Sequence, residues 1–464
     1  MASHLRPLFG LAAPLILSST SVTAMQVIDA LVVARHSAEA VAALGTSSMA
    51  VVLVQGVLFG TAGYCGTFAA HHHGARDQGG VFRSAWLGIH TSWLSGLIGM
   101  VLALFLPEIF RWAGHGPQIL EQEILYTRIC LAGSLFPVLS SALSGWLAGI
   151  GKTPVVTVVT LGSFLVNAIL AWILVLGRFG APAMGLEGAA WATVASQGFA
   201  SLLYLAIFAG MGGFKSVQPR VTWAQMRHFL ELALPWGLRI SGEVLAWTVF
   251  LVFMGRMGTL ELAATTAAFR INSIAFFPAM GLAQATGILV GQARGAGRDH
   301  EVPGIGFQGL ALAEGWMLVL AATFVWGGPW LSGWFHTPGP QGAAIVDLVT
   351  VSLRYVALYC LFDASNVLLS SVLSATGDTR WVAKAYGLGS LIFLGALWIN
   401  DHLSGGYHAA WILAVVFILA TATAWAFRFA SGAWKNFAVL GESETLLVRP
   451  TDMEPVGSRP KEVT

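Results

Sequence analysis

Charged side chains are scarce in this sequence. Lysine, arginine, aspartate and glutamate make up 10% of its 464 residues, where an ordinary soluble chain carries about 25%. A soluble domain has too much surface for so little polar cover, so a water-soluble globular fold is excluded. The formal net charge is only +2, which excludes the strongly basic surface that nucleic acid binding needs and leaves no nucleic acid partner to expect. Cysteine is limited to Cys65, Cys130 and Cys360, each inside an apolar run. They read as small packing residues, with no disulfide framework and no metal-binding spacing. The GxxxxGK[ST] phosphate loop and the GxSxG elbow are also missing. The N-terminus lacks the basic cluster and short apolar core of a cleaved signal peptide, and none is expected.

What the chain has instead is apolar length. Hydrophobic residues make up 56% of it, glycine occurs 54 times and the mean hydropathy is +0.73. A membrane-crossing helix needs about 20 mostly apolar residues. Such runs fall near 8–33, 45–70, 84–106, 124–150, 155–177 and 187–211, then near 229–254, 266–293, 305–332, 347–375, 382–400 and 407–429. The pattern predicts an all-α integral membrane protein of twelve transmembrane helices. The abundant glycines suit close helix packing in lipid. Lysine and arginine set the orientation. With a cytoplasmic N-terminus, sixteen of the 24 lie in inside segments and only Arg35, Arg111, Arg178 and Arg256 lie in outside loops. Both termini are therefore expected in the cytoplasm of a multi-pass protein of the cell (inner) membrane.

The sequence also repeats. A shift of 221 residues carries Pro14 onto Pro235, Arg35 onto Arg256, Ala42-Ala43 onto Ala263-Ala264 and Gly74-Ala75 onto Gly295-Ala296. Further on the shift becomes 226, with Leu135-Phe136 on Leu361-Phe362 and Gly151 on Gly377, and Ala189-Ala190-Trp191 meets Ala409-Ala410-Trp411 at 220. Each half holds an even number of spans, so both enter the membrane from one side. Two six-helix lobes related by a pseudo-twofold along the membrane normal, with a cavity between them, are predicted. The lobes are 1–211 and 229–435, joined by a cytoplasmic linker over 212–228 and followed by a tail over 436–464, whose polar part from Glu442 is expected to be disordered.

An ionisable group inside a span is costly and implies a task. Asp29 closes an uncharged run in the first span, Glu243 lies eight residues after Pro235 in the seventh, and Asp363 lies inside the tenth. Hydrocarbon favours the neutral form of a carboxyl group, so such a residue can take up and release a proton within a transport cycle, or offer oxygen to a sodium ion. Each has a structural alternative. Glu243 sits four residues after Arg239 and can pair with it on one helix face. Tyr359, Ser365 and Asn366 can satisfy Asp363, and Asp29 can be an interfacial residue. Gln26, Gln55, Asn167, Gln197, Asn272 and Gln284 are candidates to line the cavity, against the ordinary role of helix–helix hydrogen bonding. Met25, Met280, Phe276 and Trp247 offer an apolar wall. Successive side chains on a helix point about 100° apart, so His71-His72-His73 reads as a basic helix end facing lipid headgroups rather than a metal site.

These pieces together resemble the multidrug and toxic compound extrusion (MATE) transporters over about residues 5–435. The residues that carry the resemblance are APLILSSTSVTAMQVIDALVVA followed by AVAALG, the loop HHHGARD and its counterpart GQARGAG, LPWGLRISGE, and YCLFDASNVLLSSVLSATGDT. The resemblance implies paired six-helix lobes that exchange cationic, amphipathic drugs for sodium ions or protons, without a resident cofactor. The acids in spans one, seven and ten most resemble the NorM-like branch. By that match Asp29 is the coupling acid of the first lobe. Glu243 and Asp363, with Tyr359, form the cation site of the second, where Glu243 and Asp363 are the implied ligands of a sodium ion. Asn167 matches the family's polar position in span five, and Gln26, Gln197, Gln284 and Asn366 are taken with it as substrate-binding candidates. Three positions depart from the pattern. Ala171 stands where the DinF-like branch has a second acid, Asn366 where glutamine is frequent, and Ala34-Arg35 where a glycine-histidine pair is usual.

A secondary antiporter exporting small organic cations by alternating access is therefore expected, working as a monomer and not as an enzyme. With no nucleotide-binding domain in the chain, its energy has to come from an ion gradient. A lipid-linked sugar flippase of the same superfamily is the alternative, though lysine and arginine within the spans are few. A membrane channel or a membrane enzyme is the remaining class. An enzyme would need His, Ser or Asp groups converging at one depth, which the sequence does not present.

Overall fold

The structure, a computed structural model, describes residues 4–112, 114–214, 221–335 and 340–441. A backbone in hydrocarbon must satisfy its own hydrogen bonds, which leaves the helix as the local solution for each apolar run. Fourteen α-helices result among the described residues. The first half holds α1 (Leu5–Ala34), α2 (Ala38–Gly63), α3 (Cys65–Gly74), α4 (Gln78–Phe105), α5 (Pro117–Ala132), α6 (Leu135–Gly149), α7 (Thr153–Leu176) and α8 (Leu186–Gly210). The second holds α9 (Trp223–Met257), α10 (Thr259–Gly295), α11 (Val302–Gly333), α12 (Pro340–Ala375), α13 (Thr379–His402) and α14 (Gly406–Ala430).

Ten stretches are long and apolar enough to cross a membrane, one of them α2 and α3 together, and two bent pairs bring the number to twelve. The first bent pair is α5 with α6, at 47°. Its break falls at Gly133 and Ser134, and Pro137 in the first turn of α6 cannot continue the ladder of the helix before it. The second bend, 48°, divides α10 after Ser273. Of the expected linker, α9 already takes in residues 223–228, while 215–220 lie outside the described residues. So does the tail from 442 to 464. The part of the tail that is described folds back: Val439 is buried, and His228 Nε2 donates to its carbonyl at 3.0 Å.

Helix starts follow their capping residues. Thr222 and Gln225 form a capping box at α9. Asp77 caps α4 by accepting from the Gly80 N–H at 2.9 Å, and His72 Nδ1 lies 3.0 Å from its other oxygen. The histidine beside it holds the Asp77 carboxyl down at about 2. Asp77→Ala is expected to cost about 1 kcal/mol, the ordinary cost of losing such a cap, measured as a lower Tm in detergent. A depressed carboxyl stabilises the folded state above its unfolded range near 4. The difference between wild type and variant should thus hold at neutral pH and vanish only as pH falls through about 2.

The halves meet through α2 on α9 and through α1 and α3 on α10. His71 Nε2 donates to the Ala375 carbonyl at 2.8 Å, and Gln292 Nε2 donates to the Gly149 carbonyl at 2.8 Å. A shift of 221 turns His71 into Gln292, and a shift of 226 turns Gly149 into Ala375. The two bonds are one contact made once in each direction, as a twofold between the halves requires. The same reciprocity brings Gly74 against the Gln292 carbonyl and Gly295 against the His71 carbonyl, where a Cβ atom would come to 2.0 and 1.9 Å. Cross-half contacts cluster at this end of the spans, with Tyr64 OH donating to Ser374 O at 2.6 Å and Phe68 edge-on to Phe229.

The histidine run is thereby corrected. His71 and His72 are 5% and 1% exposed; only His73 reaches the surface. The run was expected to face headgroups as a block. Instead, His71 locks the halves together and His72 turns to Asp77.

Candidate functional site

In the first half, α1 packs lengthwise on α7. Thr157 Oγ1 donates to the Pro14 carbonyl at 2.7 Å and Ser18 Oγ donates to Thr157 at 3.1 Å, which fixes the register of the two helices. Further along, that register brings the Asp29 carboxyl to face Asn167. Asp29 Oδ1 and both polar atoms of Asn167 are nevertheless buried outside hydrogen-bond geometry to any partner. Tyr126 and Cys130 of α5 lie within electrostatic reach of the same carboxyl. A poorly satisfied polar group is costly to bury, and here the polar side chain set against Asp29 is the neutral Asn167.

The second half is wired differently. Arg239 and Glu243, one turn apart on α9, form an ion pair at 3.3 Å, with the arginine 5% and the glutamate 32% exposed. The guanidinium also lies over the Trp236 and Tyr386 rings at 5.1 and 5.4 Å, a favourable place for a cation. Asp363 of α12 faces this pair and a third acid, Glu314 of α11. Asn366 holds Asp363 at 3.4 Å and is itself held by the Trp425 indole at 2.5 Å, while Ser365 donates to Glu314 at 2.6 Å. Tyr359 accepts from Asn272 at 3.0 Å and packs near Trp247, with ring centroids 6.0 Å apart.

The expected residues thus divide. Glu243, Asp363 and Arg239 come together, with Tyr359 one turn from Asp363 on α12, and Asp29 meets Asn167. Gln26 and Gln284 are exposed and Gln197 is half-buried. Gln55 is a packing residue, donating to the Cys130 carbonyl at 3.1 Å. Among the described residues no group of three or more His, Cys, Asp or Glu is placed to hold a metal ion. Glu314 was not singled out from the sequence, although it interrupts the apolar run 305–332 as plainly as Asp363 interrupts its own. Glu123 of α5, fully buried, was missed because it stands at the edge of its run. Both acids would have been found by asking the same question of every span.

The MatE family model matches this chain twice, over residues 14–173 and 235–397. The chain belongs to the MatE family. The two matches begin 221 residues apart, at the prolines that open the internal repeat. Among curated MatE relatives, a probable multidrug resistance protein NorM of Agrobacterium fabrum is 27% identical over 386 residues, covering 82% of this chain and 83% of its own. A multidrug resistance protein NorM of Burkholderia vietnamiensis is 27% identical over 441 residues, covering 90% and 92%. Among solved structures, a MOP superfamily transporter from Pyrococcus furiosus superimposes with a TM-score of 0.81 at 20% identity, covering 93% of this chain and 96% of its own. A multidrug resistance MATE family transporter, described in an outward-facing conformation, gives the same values. The fold of this MatE chain is therefore that of known transporters, a multi-pass membrane bundle.

Proposed function

We propose that this MatE protein exports cationic or amphipathic organic molecules, exchanging them for protons or sodium ions by alternating access. The single observation that carries the reading is the half-buried Asp29 carboxylate, set against Asn167 with no cationic side chain beside it among the described residues and with one oxygen outside hydrogen-bond geometry. Such a group is stabilised by a cation that arrives and leaves, whereas Glu243 already has the Arg239 guanidinium beside it. The multidrug resistance names of the NorM relatives support drugs as the cargo. Asp363, beside the Arg239–Glu243 pair, is the second coupling carboxylate, with Tyr359 and Asn366 fixing its surroundings. Gln26, Asn167, Gln197, Gln284 and Asn366 supply polar contacts to the cargo.

The lysine and arginine distribution supports cytoplasmic termini in the inner membrane. The joined end of the halves, where Gly74 and Gly295 meet the opposite backbone, is then cytoplasmic. An external cation that binds the outward-facing state better than the inward-facing one drives the change of access, because only differential binding shifts the equilibrium. The internal twofold pairs the two halves within one chain, which supports a monomer. Ethidium efflux from proteoliposomes under separately imposed sodium and proton gradients tests the reading. Efflux driven by one of them supports it, and efflux indifferent to both removes it.

A further inference from the structure

Glu123 takes no part in the sites described so far, yet it is fully buried. Its side chain is 0% exposed, and the His115 imidazole, 36% exposed, covers it, with Nδ1 3.0 Å from both carboxylate oxygens. Thr46 Oγ1 of α2 donates to one of those oxygens. Charge buried to this depth is costly even when hydrogen-bonded, and a packing role would be met by an apolar residue. Its placement gives it another role. His115 precedes α5 by two residues and stands at the end of the bundle away from the joined halves. Glu123, Tyr126 and Cys130 follow at intervals of three and four along α5, so they share one helix face. Tyr126 and Cys130 are the residues of that face within reach of Asp29. A single stripe therefore runs from an exposed imidazole, through a buried carboxylate, to the surroundings of Asp29 and Asn167.

We infer that His115 and Glu123 form the outer uptake station through which a proton reaches Asp29. The inference rests on the coupling role proposed for Asp29, and it deepens that reading by making the coupling ion a proton. A carboxylate cannot donate, so the neutral imidazole carries its hydrogen on Nδ1, toward Glu123. A proton from the outer solution adds to Nε2, and the Nδ1 proton passes to Glu123, leaving a neutral imidazole and a carboxylic acid. The acid then releases its proton along the helix face that carries Tyr126 and Cys130, from which it reaches the Asp29 carboxylate, and Glu123 returns to its charged form held by Thr46. The exposed imidazole recovers its first tautomer by exchange with water. A sodium ion fits this station poorly, since the imidazole Nδ1–H and the Thr46 hydroxyl already occupy the carboxylate oxygens. The other charged groups brought to this end by α2, α8, the short helix Leu106–Trp112 and α5 itself are Glu39, Glu187, Glu108, Arg111, Glu121 and Arg128. Glu108 is already taken by Arg111 and Arg128, at 2.6 and 2.5 Å. The facing end of α4 carries no charge.

The test is ethidium efflux from proteoliposomes at a series of external pH values, for wild type, His115→Gln, Glu123→Gln and Asp29→Asn. Ethidium binding to each purified protein serves as the check on folding. Both station variants should need about one pH unit more external acid, about tenfold more protons, for half-maximal efflux. Their maximal rate at saturating acid should stay within about twofold of wild type. A merely structural role would lower the maximal rate without moving the profile, and that result overturns the inference, as does an unmoved profile or efflux driven by sodium alone. His115→Gln carries the test if Glu123→Gln does not fold, because the half-exposed imidazole lies outside the helices. Normal efflux by Asp29→Asn would sink the coupling role itself. Loss of efflux in Asp29→Asn with unmoved station profiles would sink only the station.

Discussion

Asp29→Asn is expected to bring gradient-driven ethidium efflux down to the leak of protein-free vesicles, while ethidium binding without a gradient persists. The substitution keeps the shape of the side chain and its place opposite Asn167 but removes the ability to carry charge. If coupling consists of compensating that charge with an external cation, an amide leaves nothing to compensate, and the cation no longer discriminates between the two access states. The fold should not suffer. The carboxylate makes no hydrogen bond through Oδ1, and a neutral amide is cheaper to bury than a charge, so Tm in detergent should hold or rise. A protein that lost both efflux and Tm would have used Asp29 as a structural residue. One that kept normal efflux would place coupling elsewhere, and Asp363 would be the next residue to test.

Much of this architecture was legible in the sequence, because the bilayer imposes one rule on every span. The twelve apolar runs lie within α1 to α14 to within a few residues, and the shift of 221 reappears as paired contacts across the twofold. The i, i+4 spacing of Arg239 and Glu243 foresaw the ion pair observed at 3.3 Å. What stayed hidden depended on three-dimensional neighbours. Nothing local distinguishes a histidine facing headgroups from one whose Nε2 finds the Ala375 carbonyl 304 positions away. The bend between α5 and α6 was equally silent, since both arms are apolar and together look like one continuous run. The repeat also fails at the acids. The 221 shift sets Asp29 against Phe250, which packs in the aromatic cluster with Trp247, Phe269 and Trp411. Symmetry is kept where the halves close on each other and broken where the chemistry sits. A duplicated scaffold can in this way rock about a common axis while each half carries a different ionisable group.

The closing end offers the sharpest structural consequence of that symmetry. Gly295→Val is expected to weaken closure of the halves there by about 1–3 kcal/mol, the ordinary penalty of forcing a side chain into packed space. A Cβ atom at this position would lie 1.9 Å from the His71 carbonyl oxygen. Backbone stands on both sides, so no flexible side chain can yield, and the halves must part instead. The penalty falls only on the state in which this end is shut and so shifts the balance of states by roughly 5- to 150-fold. Gly74→Val, against the Gln292 carbonyl at 2.0 Å, is the same insult related by the twofold and should give a comparable shift. The double variant should fall short of the sum, since the second side chain enters an interface the first has already opened. Spin labels on cysteines introduced at the exposed positions Arg76 and Arg298 would report the distance across this end. The three native cysteines are all buried and should not compete for label. A longer distance in each single variant, with slower ethidium efflux, is the expected result. Unchanged distances in both would mean that the two glycines accommodate a side chain without separating the halves, and that closure is not built on this reciprocal backbone contact.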